Sequence, residues 1–176
     1  MQQQLITELE ATGAKLIEEL SKIEDELWNA IPFEGSWTPG QLAQHLILSN
    51  GGFAELIHGP VKTTERPVDV MVEELKTAFL DFSIKMQSPE FVLPPTRHYN
   101  KGEQISTLQK IHKALLEAAN NTDLTQTCLA FELPSIGYIT RLEALYFVLY
   151  HTQRHTQQLI KIGDELKSGK LDYANK

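Results

Sequence analysis

The sequence predicts an all-α protein, a four-helix bundle with one additional short helix and long crossover loops. Three observations predict it. Apolar residues return every three or four positions in several long segments. No segment alternates apolar and polar residues as a strand would, and there is no internal repeat or low-complexity tract. Proline and glycine fall mostly between the periodic segments, with Gly51-Gly52 in mid-pattern as the chief exception.

The first helix is expected from Gln2 to about Trp28, with Leu5, Leu9, Leu16, Leu20, Ile23 and Leu27 on one stripe and Glu8, Glu18, Glu19, Asp25 and Glu26 facing water. Pro32, Gly35 and Pro39 end it. Thr38-Pro39 opens the second helix, since threonine is a good N-cap and proline suits the first helical position. Leu42, Leu46, Phe53 and Leu56 continue it to Gly59-Pro60, and Gly51-Gly52 marks a weak point or a close packing contact. A third helix is expected over Pro67–Met86, with Val68, Met71, Val72, Leu75, Phe79 and Phe82 inward. Ser88–Gly102 carries three prolines and reads as a long loop. The fourth helix spans about Glu103–Asn120 on Ile105, Leu108, Ile111 and Leu115. Asn121–Gly137 is a second irregular connection, and the last helix runs from about Thr140 to Lys167, where Gly163 favours an earlier end.

At 176 residues and 19.9 kDa, one domain over residues 1–176 is the natural reading. Such a chain buries enough surface to fold without a metal or a disulfide. A metal site therefore needs a reason other than stability. The net charge of −7 repels phosphate backbones, and no dense Lys/Arg patch is visible, so nucleic acid is not an expected partner. The lone cysteine, Cys128, rules out an internal disulfide and fits a reducing compartment. The polar start Met1-Gln2-Gln3-Gln4 is not a signal peptide, and Ala144–Tyr150 is too short to span a membrane. A soluble cytoplasmic protein is expected.

The chemistry lies in the histidines. Of six, His151 and His155 stand four apart within the last helix, a spacing that sets two imidazoles on one side. Spacing alone is weak, because such a pair arises by chance in roughly one chain in six. Their face says more. Ala144, Val148, His151, His155, Leu159 and Ile162 form one stripe, so the helix turns both histidines toward the core. In the second helix His45 shares the inner face with Leu42, Ser49, Phe53 and Leu56. Facing helices would place His45 beside the pair. Three imidazoles make a zinc-type shell with a position left open for water or substrate. Three separate core histidines, each hydrogen-bonded to a hydroxyl or carbonyl, remain the alternative.

Two stretches carry a family resemblance. Trp37-Thr38-Pro39-Gly40-Gln41-Leu42-Ala43-Gln44-His45-Leu46 resembles the first motif of the DinB-like superfamily, and His151-Thr152-Gln153-Arg154-His155-Thr156-Gln157-Gln158-Leu159 resembles the second. Gly137-Tyr138-Ile139-Thr140-Arg141 is similar to that family's entry to its last helix. The resemblance implies a bundle of the DinB/YfiT type, with His45, His151 and His155 as ligands of one divalent metal ion per chain, zinc or nickel ahead of iron. It also implies a homodimer and a small-molecule substrate, with a low-molecular-weight thiol as one candidate. A metal held by neutral imidazoles can acidify a water or a thiol. The expected reaction is thus thiol transfer to an electrophile or metal-dependent hydrolysis. A non-catalytic, stress-linked metal-binding or interaction bundle is the alternative.

The other candidates read as structural. Arg154 points about 100° or more off the ligand face, toward solvent or an interface. Gln44 and Gln158 lie near enough to the ligands to hydrogen-bond them from outside, although surface roles suit them better. His112 lies beside the fourth helix's core stripe, and His58 and His98 fall near loops. Cys128 suits packing, and Trp28 and Trp37 suit the core or a helix staple.

Overall fold

The computed structural model describes residues 2–134 and 136–174. The helices are α1 (Gln2–Lys22), α2 (Pro39–Asn50), α3 (Phe53–His58), α4 (Val72–Leu80), α5 (Lys101–Asn121) and α6 (Arg141–Ala174). Two 3-10 turns, Asp25–Leu27 and Glu90–Val92, punctuate the connections. Two short antiparallel strands, β1 (Val61–Lys62) and β2 (Thr127–Cys128), tie two connections together through the pairs Val61–Cys128 and Lys62–Thr127. They fall in connections where the sequence predicts no strand, because two residues are too few to show alternation.

Each helix follows from local chemistry. On α1, Leu5, Leu9, Leu16 and Leu20 are buried, while Lys15 and Lys22 pair with Glu18 and Glu19 across the wet side. The helix stops at Lys22, short of the expected Trp28. Ile23 stays buried, but the chain tightens into the 3-10 turn so that Trp28, 1% exposed, can donate its indole N–H to Gln104 Oε1 at 2.8 Å. Thr38 caps α2 by a full capping box: its hydroxyl accepts from Gln41 N, and Gln41 Oε1 accepts from Thr38 N. Gly51-Gly52 divides the expected second helix into α2 and α3.

The third expected helix is trimmed at both ends to α4. At its C-terminal end Asp81 turns its carboxylate onto the backbone N–H and hydroxyl of Ser83, an Asx-type turn that competes with helix. Phe82 consequently lies 51% exposed rather than inward. Asn100 caps α5 by accepting from Glu103 N. At the start of α6, Thr140 and Glu143 form a reciprocal box, and Glu143 also receives both guanidinium nitrogens of Arg66 at 2.7 Å. Gly163 does not end α6. A Cβ there would sit 2.9 Å from Ile23 Cδ1, so the glycine permits the close approach of α1's end.

α1 packs on α5 and α6, and α2 packs on the same two helices. Consecutive helices α1 and α2 therefore stand diagonally, joined by a crossover. α4 lies against α6 outside this ring. The interior has two apolar clusters. One includes Leu5, Leu9, Phe53, Ile57, Leu145 and Leu149. The other includes Leu16, Leu20, Trp28, Leu46, Leu159 and Ile162. The polar side chains Asn50, His151, Thr152, His155 and Thr156 are buried between them, a polar layer across the waist of the bundle. No described helix is long and apolar enough to cross a membrane.

Candidate metal centre

α2 and α6 face each other at this waist. His45, His151 and His155 are 2%, 6% and 8% exposed, and one ring nitrogen of each lies within 4.8 Å of the other two. The core stripe explains the burial. Leu42 and Leu46 flank His45, while Val148 and Leu159 flank the pair. The rings pack edge to face, with centroids 4.6 Å apart for His45 and His155 and 4.5 Å for His151 and His155.

The protonation pattern follows from the partners. His45 Nδ1 sits 2.9 Å from the Val92 carbonyl, an acceptor only, so that nitrogen donates. His151 Nδ1 faces Asn50 Oδ1 at 3.2 Å, and Asn50 spends its own N–H on Thr152 Oγ1. His155 Nδ1 donates to Gln158 Oε1 at 2.9 Å. A neutral imidazole with its proton on Nδ1 carries a lone pair on Nε2. Burial keeps all three neutral: it lowers the pKa of His45, pushes that of His151 well below 6.5, and takes that of His155 to about 3.

This arrangement leaves a conflict that a cation resolves. His45 Nε2 and His151 Nε2 are 3.2 Å apart, yet neither has a proton to donate. Two lone pairs facing one another at this distance repel. Around a tetrahedral zinc, with Zn–N of about 2.0–2.1 Å, ligand nitrogens stand about 3.3–3.4 Å apart. The His45–His151 spacing and the all-imidazole donor set therefore fit a divalent ion such as zinc, nickel or iron. Each ring's outer N–H is already held, as metal-ligating histidines require.

The three ligand candidates line a cleft of about 1320 Å³. Trp37 covers them, with its ring centroid 5.0 Å from that of His45 and 6.5 Å from that of His155. Phe53, Phe79 and Phe147 form one wall beside His151.

Among the described residues the structure brings His45, His151 and His155 together, and His58, His98 and His112 lie outside that cluster. His112 is half-buried against Gly13. Cys128 is fully buried and its thiol pKa is raised by burial, which suits packing. Trp28 is core, as expected, but Trp37 belongs to the site. Gln158 is not a surface residue in function, since it holds His155. Gln44 bonds Gln104 instead of a ligand. Arg154 is not free in solvent: it donates to the carbonyls of Phe79, Asp81 and Ile84 and fastens the segment after α4 to the site's edge. Asn50 and Val92 were missed. Asn50 was findable, because it continues the buried spacing Leu42, Leu46, Asn50. Val92 acts through its backbone, which no side-chain pattern announces.

A crossover bundle with a three-histidine cluster at its waist defines a class, and the DinB superfamily profile matches residues 8–159. The chain belongs to the DinB superfamily. Two solved structures share its fold. YfiT from Bacillus subtilis, described as a probable metal-dependent hydrolase with an unusual four-helix bundle topology, is 16% identical, with a TM-score of 0.61 over 94% of this chain and 87% of its own. TT2238, described as a four-helix bundle protein, is 20% identical, with a TM-score of 0.57 over 92% of this chain and 99% of its own. No curated protein matches the sequence.

Proposed function

We propose that this chain is a metal-dependent enzyme acting on a small molecule in the cleft, with one divalent ion per chain held by His45, His151 and His155. The observation that carries the reading is the convergence of three buried, neutral imidazoles whose proton-bearing nitrogens are all engaged elsewhere. Zinc or nickel is the expected ion, with iron also compatible. Structural zinc sites fill four positions with protein ligands, and here three face an open cleft, which favours catalysis over a purely structural role.

When bound, such an ion supplies Lewis acidity that makes a thiol or a water more acidic. The chain's own residues do the rest. Val92 O, Asn50 and Gln158 hold the three rings, Trp37 shields them from one side, and the aromatic wall excludes water beside His151. In thiol transfer, the favoured reaction, the sulfur forms a bond to an electrophilic carbon, the bond from that carbon to the leaving group breaks, and the leaving group departs with the electron pair and takes up the thiol proton. Hydrolysis is the second reading, supported by the description of YfiT; there the water oxygen forms the new bond and a water proton ends on the leaving group. The charge of −7 supports a small-molecule substrate over nucleic acid. A cytoplasmic homodimer belongs to the same reading, and sedimentation tests the dimer.

The test is elemental analysis of protein purified without chelator or histidine tag, beside His45→Ala, His151→Ala and His155→Ala. About one metal per chain, lost in each variant that keeps its helical circular dichroism, supports the centre. Loaded protein is then assayed with thiol and aryl halide pairs and with activated esters. No metal after reconstitution with zinc, nickel or iron removes the enzyme reading and leaves a non-catalytic interaction bundle.

A further inference from the structure

The cleft is chemically graded from end to end, and the gradient is written on α6. Phe147, His151, Arg154, Gln158 and Lys161 follow at helical spacing and all line it. At about 1.5 Å per residue, Phe147 and Lys161 stand roughly 21 Å apart along the axis, with His151 about 6 Å from the first. At the Phe147 end the wall is aromatic. Phe147 stacks on Phe53 at 5.2 Å and meets Phe79 edge-on at 4.9 Å, and Phe79 reaches His151 at 5.4 Å. The lone acid lining the cleft, Glu55, comes from α3, the helix that also supplies Phe53.

The other end is cationic. Lys161 follows Gln158 on α6, and Lys85 enters from the facing segment next to Ile84, whose carbonyl Arg154 holds. Lys85, Arg154 and Lys161 form no ion pair within 4.0 Å among the described residues. Arg154 spends its N–H groups on neutral carbonyls, and the Asp81 carboxylate nearby partly offsets its charge. Lys85 and Lys161, with the partly offset Arg154, thus put positive charge at one end of a cleft in a chain of net charge −7. Charge patterning of this kind selects ligands by sign.

We propose that the cleft takes an apolar, aryl-sized group against Phe53, Phe79 and Phe147, and an anionic arm, a carboxylate or its equivalent, reaching Lys85 and Lys161. The inference rests on the catalytic reading above, since it places the reacting atoms between the two parts, beside His151 and His155. From His155 to Lys161 the helix rises about 9 Å, which sets the arm at roughly five to seven bonded atoms. The substrate class is therefore an anionic, amphiphilic small molecule, or two such parts brought in together, rather than a neutral lipid or a sugar.

A fluorescent pair tests this directly on the metal-loaded protein: dansyl-6-aminohexanoate and its neutral methyl ester, which share the aromatic group and the arm. The acid should bind about fivefold to tenfold more tightly than the ester, and the preference should shrink at high salt. Lys85→Glu with Lys161→Glu should abolish the preference while leaving ester binding unchanged; both lysines are exposed and neither is a ligand candidate. Phe147→Ala should weaken acid and ester alike by fivefold or more. Equal binding of acid and ester by the unaltered protein, or an acid preference that survives the double charge reversal, overturns the cationic half. Failure of either probe to bind at about 1 mM overturns the whole. Metal content measured on the same samples separates these failures from failure of the metal centre: full metal with no charge preference refutes only the substrate class.

Discussion

Asn50 is predicted to tune metal affinity without touching the metal. It is 4% exposed, and its amide oxygen is the hydrogen-bond acceptor for His151 Nδ1. Replacing it with alanine leaves that N–H without its partner in the dry waist. The magnitude can be reached twice. Losing a partner that orients a metal-bound histidine typically weakens metal affinity 10–100-fold, which is about 1.4–2.8 kcal/mol. A hydrogen bond to a group that becomes polarised toward positive charge on ligation contributes about 1.5–3 kcal/mol. The two ranges overlap, so Asn50→Ala should raise the zinc Kd by about 10–100-fold. Asn50→Asp keeps the acceptor oxygen and adds a negative charge, so it should hold zinc at least as tightly as the unaltered protein. Competition against a chromophoric chelator at fixed pH reads all three proteins. A zinc Kd for Asn50→Ala within twofold of the unaltered value would refute the argument that this hydrogen bond fixes the ligand tautomer.

Three other outcomes are expected. Metal-free protein should lose stability as pH falls below 6.5. The folded-state pKa of His155 is depressed to about 3, so the unfolded chain takes up the proton first, at about 1.4 kcal/mol per pH unit, or roughly 2 kcal/mol by pH 5. His45, His112 and His151 shift in the same direction. Urea midpoints that stay level between pH 7 and 5 in chelator would sink this account. Glu143→Ala removes a fully buried carboxylate from Arg66, Met71 N and Thr140 N, and should cost about 3 kcal/mol, read as a fall of about 6–12 °C in Tm. Gly13→Ala should destabilise even though alanine is the better helix former by about 1 kcal/mol, because its Cβ would meet the imidazole of His112; pairing it with His112→Ala should recover most of the loss in a double-mutant cycle.

The face of α6 was legible because it is a packing signal. Ala144, Val148, Leu159 and Ile162 are all buried, so the two histidines between them had to be buried as well. The same reasoning placed His45 from Leu42 and Leu46. The cap at Thr38 was legible from Thr-Pro, and the Gln41 half of its box completes that motif. What failed was helix extent. The stripe Ile23 to Leu27 keeps helical spacing, but burying Trp28 against Gln104 outweighed continuing α1. Apolar residues around Phe82 suggested helix, yet Asp81 and Ser83 satisfy the backbone locally and end it. Gly163 suggested an end, but its lack of a side chain serves contact with Ile23. Periodicity reports which side is buried; it does not report whether a long-range contact interrupts the spiral.

The diagonal placement of α1 and α2 bears on how the site is born. Neither helix completes the bundle without α6, and His45 and His151 lie 106 positions apart. At a synthesis rate of about 5–20 residues per second, the second follows the first from the ribosome by roughly 5–20 s. During that interval the nascent chain carries one of the three ligand candidates, beside His58, His98 and His112, and the convergent set does not yet exist. Unlike a short zinc-finger segment that closes on its ion, this shell exists only once α2 and α6, far apart in sequence, have packed together. Any ion held by these three side chains would therefore meet a shell assembled by folding.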